Sequence, residues 1–465
     1  MRVLLVSPNR EVSPDAVFPL GLAALAAVLE SRGLTVKGTD LCFHPDWRAV
    51  LEQDLDSFRP DCIGLSIRNL DNVSYPRSIE YLPFIKEVVQ VCRGRSSAPI
   101  VLGGAGFTLL PDRVLQYLAA DYGIIGEGEQ ALVDLLARLF PGPPEKGAPF
   151  LNGSGPAGGA LQRGAAVDVN RQPWPDRKLF DAVFYRKQGA LANVQTKRGC
   201  PFTCIYCTYP LIEGRAVRVR QPAGVIGEIK KLVDQGLDYI FFVDNNFNFP
   251  VEQAGELCRE IIRERLPIRW TAYVNPGFMT DSLGEVMKAS GCGALEFGLD
   301  TASAAQLLRM GKNFSLDQIR EAARICRERE IPFCFSLLLG GPGETAATVE
   351  ETLAEVEALR PTAVICMTGI RIFPGTRLAQ ISWEEGLLPD KWDPLGPVFY
   401  VAQAVRDSLE DRLRAFSENH PNWVFPGLGI DRFPGDTLKM HQLGFTGPLW
   451  TYLRPKKRKR GGATA

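Results

Sequence analysis

The chain has 465 residues, of which 45% are hydrophobic and 23% are charged, and its formal net charge is zero. This composition is typical of a globular protein with two or three domains, and the neutral balance favours neither a nucleic-acid partner nor an anionic membrane surface. No apolar run reaches the roughly 18 residues of a membrane span, and the start, MRVLLVSPNR, is typical of a first strand rather than a signal peptide. We therefore predict a cytoplasmic protein.

Residues 1–140 are predicted to form a doubly wound, Rossmann-like α/β domain. Helices alternate with five apolar strands, which are RVLLVSP, LTVKGTDL, DCIGLSIR, PIVLGGAGF and YGIIGEGE. Apolar strands separated by helices indicate a parallel sheet that is covered on both faces. Ligands of such sheets bind at the carboxyl ends of the strands, where this chain has small residues that let a ligand approach the backbone closely. These residues are Ser66, Gly103, Gly104 and Gly126.

Residues 141–189 begin with a Pro- and Gly-rich stretch and are predicted to be a linker. Residues 190–382 then alternate helices with six further strands, which are LANVQTK, LDYIFFVDNN, IRWTAYV, GALEFGLD, PFCFSLLLG and AVICMTGIRIF. Six βα units indicate a partial (β/α)6 barrel, and the chemistry of such barrels lies at the carboxyl ends of their strands.

Residues 383–465 lose the βα period and carry aromatic residues between Pro-Gly breaks. We predict a small carboxyl-terminal cap of α+β or irregular structure. Two roles stay open for this cap: it closes the mouth of the barrel and excludes water from the reaction, or it simply packs against the barrel. The basic tail RPKKRKRGG is interpreted as a solvated end of the chain.

Three of the eleven cysteines, Cys200, Cys204 and Cys207, lie within eight residues directly after the first predicted barrel strand. The other eight are isolated, and we expect them to be buried free thiols in a reducing compartment. A structural zinc site needs four ligands, and no fourth Cys or His lies near these three. A cubane iron–sulfur cluster has four irons that each bind a thiolate, so three cysteines leave one iron open for a small molecule. The spacing therefore predicts a 4Fe-4S cluster.

The segment CPFTCIYC after a first barrel strand resembles the cluster motif of the radical S-adenosylmethionine (SAM) superfamily. The resemblance covers roughly residues 190–380. It implies that SAM binds the open iron through its amino and carboxylate groups and is cleaved reductively to a 5′-deoxyadenosyl radical. It also implies an electron donor such as flavodoxin or ferredoxin.

Four later segments, FVDNNF, EFGLDTAS, LLLGGPGET and IRIFPGTRL, resemble further motifs of that superfamily. At the fourth-strand position the superfamily usually has Glu, whereas this chain has Asp300. The resemblance implies SAM contacts for seven residues, which are Tyr206, Asp244, Asp300, Gly340, Gly341, Glu344 and Ile372. Asp244 is the candidate for the SAM amino group, and Ile372 belongs to the segment that lies against adenine.

A doubly wound domain, the segment RQPWPDRKLF and a radical SAM barrel, in this order, resemble the cobalamin-binding class of the superfamily. The resemblance implies a cobalamin site that includes Ser66, Arg68, Gly103, Gly104, Gly126 and Glu127. The motif Asp-x-His-x-x-Gly, which supplies a histidine to cobalt elsewhere, is absent from the first βα loop. We therefore expect no histidine on the cobalt. The loop SIRNLDN is interpreted either as an Asx turn or as a contact to the corrin or the barrel.

The resemblance implies a cobalamin-dependent methyltransferase that acts on an unactivated carbon, or on phosphorus, of a small-molecule substrate. One alternative is a radical cyclisation, rearrangement or bond-forming reaction without methyl transfer. An alternative of another class is an iron–sulfur electron carrier or a cobalamin sensor. The SAM motifs argue against this last alternative because a carrier needs no open iron.

Overall fold

The computed structural model describes residues 1–12, 15–141, 161–430, 439–440, 443 and 445–453. The basic tail at 454–460 and much of the predicted linker lie outside these residues. No helix in the described part of the chain is long and apolar enough to cross a membrane.

The amino-terminal domain is a six-stranded parallel sheet covered by helices on both faces, which confirms the predicted α/β class. Its strands are β1 Arg2–Ser7, β2 Thr35–Asp40, β3 Cys62–Ser66, β4 Ile100–Gly103, β5 Tyr122–Ile125 and β6 Leu161–Arg163. Their order in the sheet is β2-β1-β3-β4-β5-β6. Strand β6 falls inside the range predicted as a linker, so the sheet has one strand more than the sequence predicted.

The helices of this domain divide between the two faces of the sheet. They are α1 Leu20–Ser31, α2 Trp47–Phe58, α3 Leu82–Arg95, α4 Ala105–Leu109, α5 Pro111–Leu118 and α6 Glu129–Leu139. Val3 and Leu5 of β1 belong to the core that contains α1 and α6, whereas Leu4 and Val6 belong to the core that contains α2, α3 and α5. Because side chains alternate along a strand, one continuous apolar run fills both cores.

The second domain contains a seven-stranded parallel sheet in the order β7-β10-β11-β12-β13-β14-β17, with β7 and β17 at its open edges. These strands are β7 Ala192–Val194, β10 Tyr239–Phe242, β11 Arg269–Val274, β12 Cys292–Asp300, β13 Phe333–Leu339, β14 Ala363–Thr368 and β17 Trp423–Val424. The six predicted barrel strands are thus confirmed. Strand β17 comes from the segment predicted as a cap and extends the sheet beyond β14.

Two antiparallel pairs lie beside this sheet, β8 Lys197–Arg198 with β9 Arg218–Val219 and β15 Ile370–Arg371 with β16 Phe399–Tyr400. The remaining helices are α7 Ala182–Lys187, α8 Tyr209–Ile212, α9 Pro222–Asp234, α10 Val251–Arg263, α11 Asp281–Ala289, α12 Ala304–Arg309, α13 Leu316–Glu328, α14 Ala346–Leu359, α15 Arg377–Glu384, α16 Gln403–Arg406 and α17 Leu409–Ser417. Short 3-10 turns span Pro276–Phe278, Pro426–Leu428 and Leu449–Tyr452.

The described end of the chain, residues 445–453, closes the bottom of the barrel and not its mouth. Trp450 is 4% exposed and packs against three small side chains on the strands β12 to β14. These are Ala294, Cys334 and Ala363, and each lies near the amino end of its strand. Packing is therefore the observed role of this part of the predicted cap.

The loop after β3 joins the two domains. Asp71 accepts a hydrogen bond from Arg371 Nε at 2.9 Å, and both side chains are at most 3% exposed. The other oxygen of Asp71 accepts a hydrogen bond from the backbone of Val73, which forms an Asx turn. Nearby, Thr368 Oγ1 donates to the carbonyl of Tyr75. Asp71 thus combines two of the interpretations of this loop, the Asx turn and the barrel contact.

We predict that Asp71→Ala lowers the free energy of unfolding by about 3–5 kcal/mol, because it leaves the buried guanidinium of Arg371 uncompensated. The control is Asp393→Ala, since Arg113 and Asp393 form an interdomain ion pair at 3.1 Å in which both side chains are at least half exposed. An exposed pair contributes at most about 1 kcal/mol. Urea unfolding measures both variants, and equal losses would contradict the assignment.

Candidate active site

The three cysteines lie in a loop that begins just after β8 and is held by neighbouring backbone. The Cys200 N–H donates to Gly214 O at 3.0 Å, and the Ile205 N–H donates to Met310 O at 3.1 Å. Gly199, just before the first cysteine, has φ +95°, and a Cβ there would collide with Ala216 O. Only glycine fits this turn without strain, so the sequence Arg-Gly-Cys positions the first thiol.

The donor set of this loop fits a cubane cluster better than a single ion. All three cysteines are free thiols, and the described residues contain no group of three His, Cys, Asp or Glu side chains placed to hold one metal ion. In a cubane each thiolate binds a different iron, so the thiols need not converge on one point. Burial raises the pKa of Cys207 to about 12, and a bound cation would therefore be needed to hold it as a thiolate.

Asp244 follows β10 and lies below the cysteine loop, at 1% exposure. Its Oδ1 accepts hydrogen bonds from the backbone of Thr196 at 2.6 Å and of Lys197 at 3.2 Å, and its Oδ2 accepts one from Thr196 Oγ1. Lys197 Nζ lies 4.0 Å from the same carboxylate. The hydrogen bonds of Asp244 therefore stabilise the strand that leads into the cysteines. The contact of Asp244 with SAM stays a prediction.

Asp300 and Tyr206 lie beside a buried cation, Lys312, which the sequence motifs did not single out. Asp300 Oδ2 accepts hydrogen bonds from Tyr206 Oη at 2.7 Å and from Lys312 Nζ at 2.8 Å. Burial alone would lower the pKa of Lys312, but the charges of Asp300 and of the cysteines raise it. Burial raises the pKa of all three thiols, and the charge of Lys312 opposes part of that rise. Lys312 thus supplies a positive charge beside the cysteine loop.

The predicted SAM residues after β13 form a turn around Glu344. Its Oε2 accepts hydrogen bonds from the backbone N–H groups of Gly340 and Gly341. Its Oε1 is buried and has no hydrogen-bond partner among the described residues. Burial raises the pKa of Glu344 to about 7. Ile372, which is fully buried, directly follows β15. The unpartnered oxygen is suited to a donor that the polypeptide does not supply.

Five of the six residues predicted for cobalamin line one cavity of about 300 Å³ at the carboxyl edge of the first sheet. They are Ser66, Gly103, Gly104, Gly126 and Glu127. The lining is mostly apolar, with Leu20, Leu25 and Val28 of α1 on one side. A Cβ on Gly103 would meet nothing closer than 3.9 Å, so this glycine faces open space. Gly104 has φ +98°, and a Cβ at this position would collide with the backbone of Ile67, so only glycine fits there.

Charged residues from the barrel form one wall of this cavity. Lys197, Arg198 and Glu213, which flank the cysteines in sequence, all line it. Glu127 accepts a hydrogen bond from Arg218 Nη1 at 2.9 Å, and Arg198 pairs with Glu129 at 2.6 Å. Burial acts to raise the pKa of Glu127, but its cationic partners outweigh this and lower it. The cavity therefore lies directly beside the cysteine loop.

Arg68, the sixth predicted residue, lies outside this cavity and is exposed. Its charge acts on Tyr209 of α8, the helix that follows the last cysteine. Sequence reasoning missed Lys312, Arg198 and Arg218, because an isolated basic residue forms no recognisable sequence pattern. The position of Arg198, between the first barrel strand and Cys200, is the only signal that pointed to one of them.

Comparison with known proteins assigns both domains. The sequence profile of the radical SAM superfamily matches residues 194–356, and that of the B12 binding domain matches residues 7–136. A tryptophan 2-C-methyltransferase of Streptomyces laurentii is 26% identical over 447 residues, which cover 81% of this chain and 74% of the relative. An uncharacterised methyltransferase of Pyrococcus horikoshii is 26% identical over 429 residues, which cover 89% and 91%.

The solved structure of TsrM, a radical SAM methyltransferase from Kitasatospora setae with tryptophan and a SAM analogue bound, superimposes with a TM-score of 0.85. The match is 24% identical and covers 97% of each chain, and it bears on the fold alone. The two family matches confirm the predicted cofactors: an iron–sulfur cluster and SAM for the barrel, and cobalamin for the first domain. This chain belongs to the radical SAM enzymes that carry an amino-terminal B12-binding domain.

Proposed function

We propose that this enzyme transfers a methyl group from SAM to an unactivated carbon, or to phosphorus, of a small molecule with the help of cobalamin. The observation that carries the proposal is the adjacency of the two cofactor sites. The cavity of the B12-binding domain shares Lys197 and Arg198 with the segment that leads into Cys200. Methyltransferases among the relatives support the same reaction, one of them named for the carbon 2 position of tryptophan.

When bound, the cluster supplies electrons, SAM supplies the methyl group and cobalamin supplies the metal centre for its transfer. The residues of this chain hold these groups in place. The pairs of Arg218 with Glu127 and of Arg198 with Glu129 join the domains beside the cysteine loop. The unpartnered Oε1 of Glu344 is suited to accept a hydrogen bond from an ammonium, such as the amino group of SAM.

The test is anaerobic reconstitution with iron, sulfide and cobalamin, followed by incubation with SAM carrying a deuterated methyl group. Release of S-adenosylhomocysteine that depends on cobalamin is the expected result. Cleavage of SAM to 5′-deoxyadenosine without any S-adenosylhomocysteine would instead favour a cyclisation or rearrangement. If neither product forms although the cluster and SAM are bound, the electron carrier or sensor becomes the better interpretation.

The proposal includes a cytoplasmic location and an electron donor such as flavodoxin or ferredoxin. All eleven cysteines are free, as expected in a reducing compartment. The donor would reach the cluster through the protein surface near the cysteine loop, where Cys204 and Cys207 are half-buried.

We predict that replacing Cys200, Cys204 and Cys207 together with Ala abolishes binding of the four irons and all SAM cleavage. The control replaces three isolated buried cysteines, Cys62, Cys92 and Cys326, which we expect to retain the iron. Iron and sulfide analysis with absorption spectroscopy measures both variants. Four irons per chain in the first variant would overturn the ligand assignment.

We predict that Lys312→Met lowers the midpoint potential of the cluster by roughly 50–100 mV. A unit charge several ångströms away contributes about 2 kcal/mol at an effective dielectric constant of about 20, and net charge near a cluster sets its potential. Lys312→Arg should keep the potential, and Lys391→Met, at an exposed position, should not change it. Potentiometry followed by electron paramagnetic resonance measures it, and an unchanged potential in Lys312→Met would refute the prediction.

We predict that Gly103→Val blocks cobalamin uptake while the protein stays folded. The added side chain would project into the 300 Å³ cavity without striking the backbone. The matched control is Gly94→Val, because a Cβ on Gly94 meets no atom within 4 Å and Gly94 does not line the cavity. Cobalamin absorbance after gel filtration measures uptake, and full occupancy of Gly103→Val would exclude this cavity as the cobalamin site.

A further inference from the structure

The inner face of the barrel sheet encloses an open space above the floor formed by Trp450. On β11, Trp270, Ala272 and Val274 pack into the helix-covered core, so Tyr273 points to the other side. Tyr273 is 42% exposed although β11 is a central strand with β10 and β12 on its two sides. Its exposure therefore comes from the interior of the barrel.

The wall of this interior is apolar and aromatic apart from one serine. Its members are partly exposed residues at inward positions of the strands β10 to β14, namely Phe241, Tyr273, Ser336, Leu338, Ile365 and Met367. The rings of Phe241 and Tyr273 contact each other with their centroids 5.4 Å apart. Tyr209 of α8, which is 48% exposed, lies near enough to Tyr273 to act on it electrostatically. This space suits a substrate with an apolar or aromatic body.

One carboxyl group stands at the bottom of this interior. Glu296 is an inward residue of β12, it is 9% exposed, and its Oε1 accepts a hydrogen bond from Trp450 Nε1 at 3.0 Å. Tyr273 of β11 is its register partner across the two strands. No hydrogen bond or ion pair joins Glu296 to a cationic side chain in the described part of the chain. Trp450 thus orients a carboxyl group that has no counter-ion among the described residues.

The surroundings of Glu296 add further negative charge. Asp15, in the first βα loop of the amino-terminal domain, lies near enough to act on it. Burial and this charge raise the pKa of Glu296 to about 7. A buried carboxylate is stabilised most strongly by a cation, and no hydrogen bond or ion pair of the described chain brings one to this point. We therefore expect the ligand to carry the cationic group that Glu296 lacks.

We propose that the barrel interior binds the substrate and that Glu296 recognises a protonated amine on an apolar or aromatic substrate. The ammonium end would point down to Glu296, and the body would lie between the apolar wall and Tyr273. This assignment rests on the proposed function, because it names the substrate class of the same enzyme. It makes Glu296 a specificity residue that distinguishes cationic from anionic molecules of equal shape.

Three molecules with one shape test this assignment: tryptamine, which carries an ammonium, tryptophol, which is neutral, and indole-3-propionate, which is anionic. Calorimetry on the reconstituted protein at pH 8 should give the order tryptamine, tryptophol, indole-3-propionate from tight to weak. Glu296→Gln should weaken tryptamine about tenfold or more and change tryptophol little. Equal affinity of the unaltered protein for all three molecules, or no affinity for any, overturns the proposal.

Two further variants separate recognition from stability. Trp450→Phe removes one hydrogen-bond donor from Glu296 but keeps its charge, so the preference for tryptamine should persist. Glu357→Gln is the matched control. Glu357 also accepts a hydrogen bond from a tryptophan, Trp423 Nε1 at 3.3 Å, but it lies on helix α14 outside the barrel. If Glu296→Gln loses stability but keeps the wild-type preference, Glu296 is structural only. Binding needs no turnover, so S-adenosylhomocysteine release, measured separately, shows whether the proposed function itself fails.

Discussion

A buried carboxylate holds the reactive part of this enzyme in place. Asp244 binds the backbone and side chain of Thr196 and the backbone of Lys197, the residues that join the first barrel strand to the cysteine loop. Burial raises the pKa of Asp244, and the nearby ammonium of Lys197 offsets only part of that rise. A cluster loop needs such a support, because a short irregular segment has few backbone hydrogen bonds of its own.

The same use of buried charge recurs where the domains meet. Arg371 pairs with Asp71 at one point of the interface, and Arg218 pairs with Glu127 at another. Each pair takes one partner from each domain. A buried ion pair adds little net stability, but breaking it is costly, so these pairs favour one relative placement of the domains. That placement sets the distance between a cofactor at the first sheet and a cluster at the barrel.

Much of the fold could be predicted from the sequence because the strands are apolar runs bounded by Gly and Asp, and the cysteine spacing is specific. Strands β6 and β17 were missed, since they have three and two residues and too few side chains to show a period. The sequence could equally not show which way the side chain of Asp244 points. A strand-end carboxylate turns to the nearest donors, and which donors are near is a property of the tertiary structure. Lys312 was missed for the same reason.

The floor of the barrel has a consequence for the order of assembly. Trp450 reaches Glu296 from 154 positions further along the chain, and contacts between such distant residues form late in folding, because a long loop must close first. During synthesis, β12 and β13 leave the ribosome well before their lower ends are covered. The barrel therefore passes through a stage in which it is open at the bottom as well as at the side.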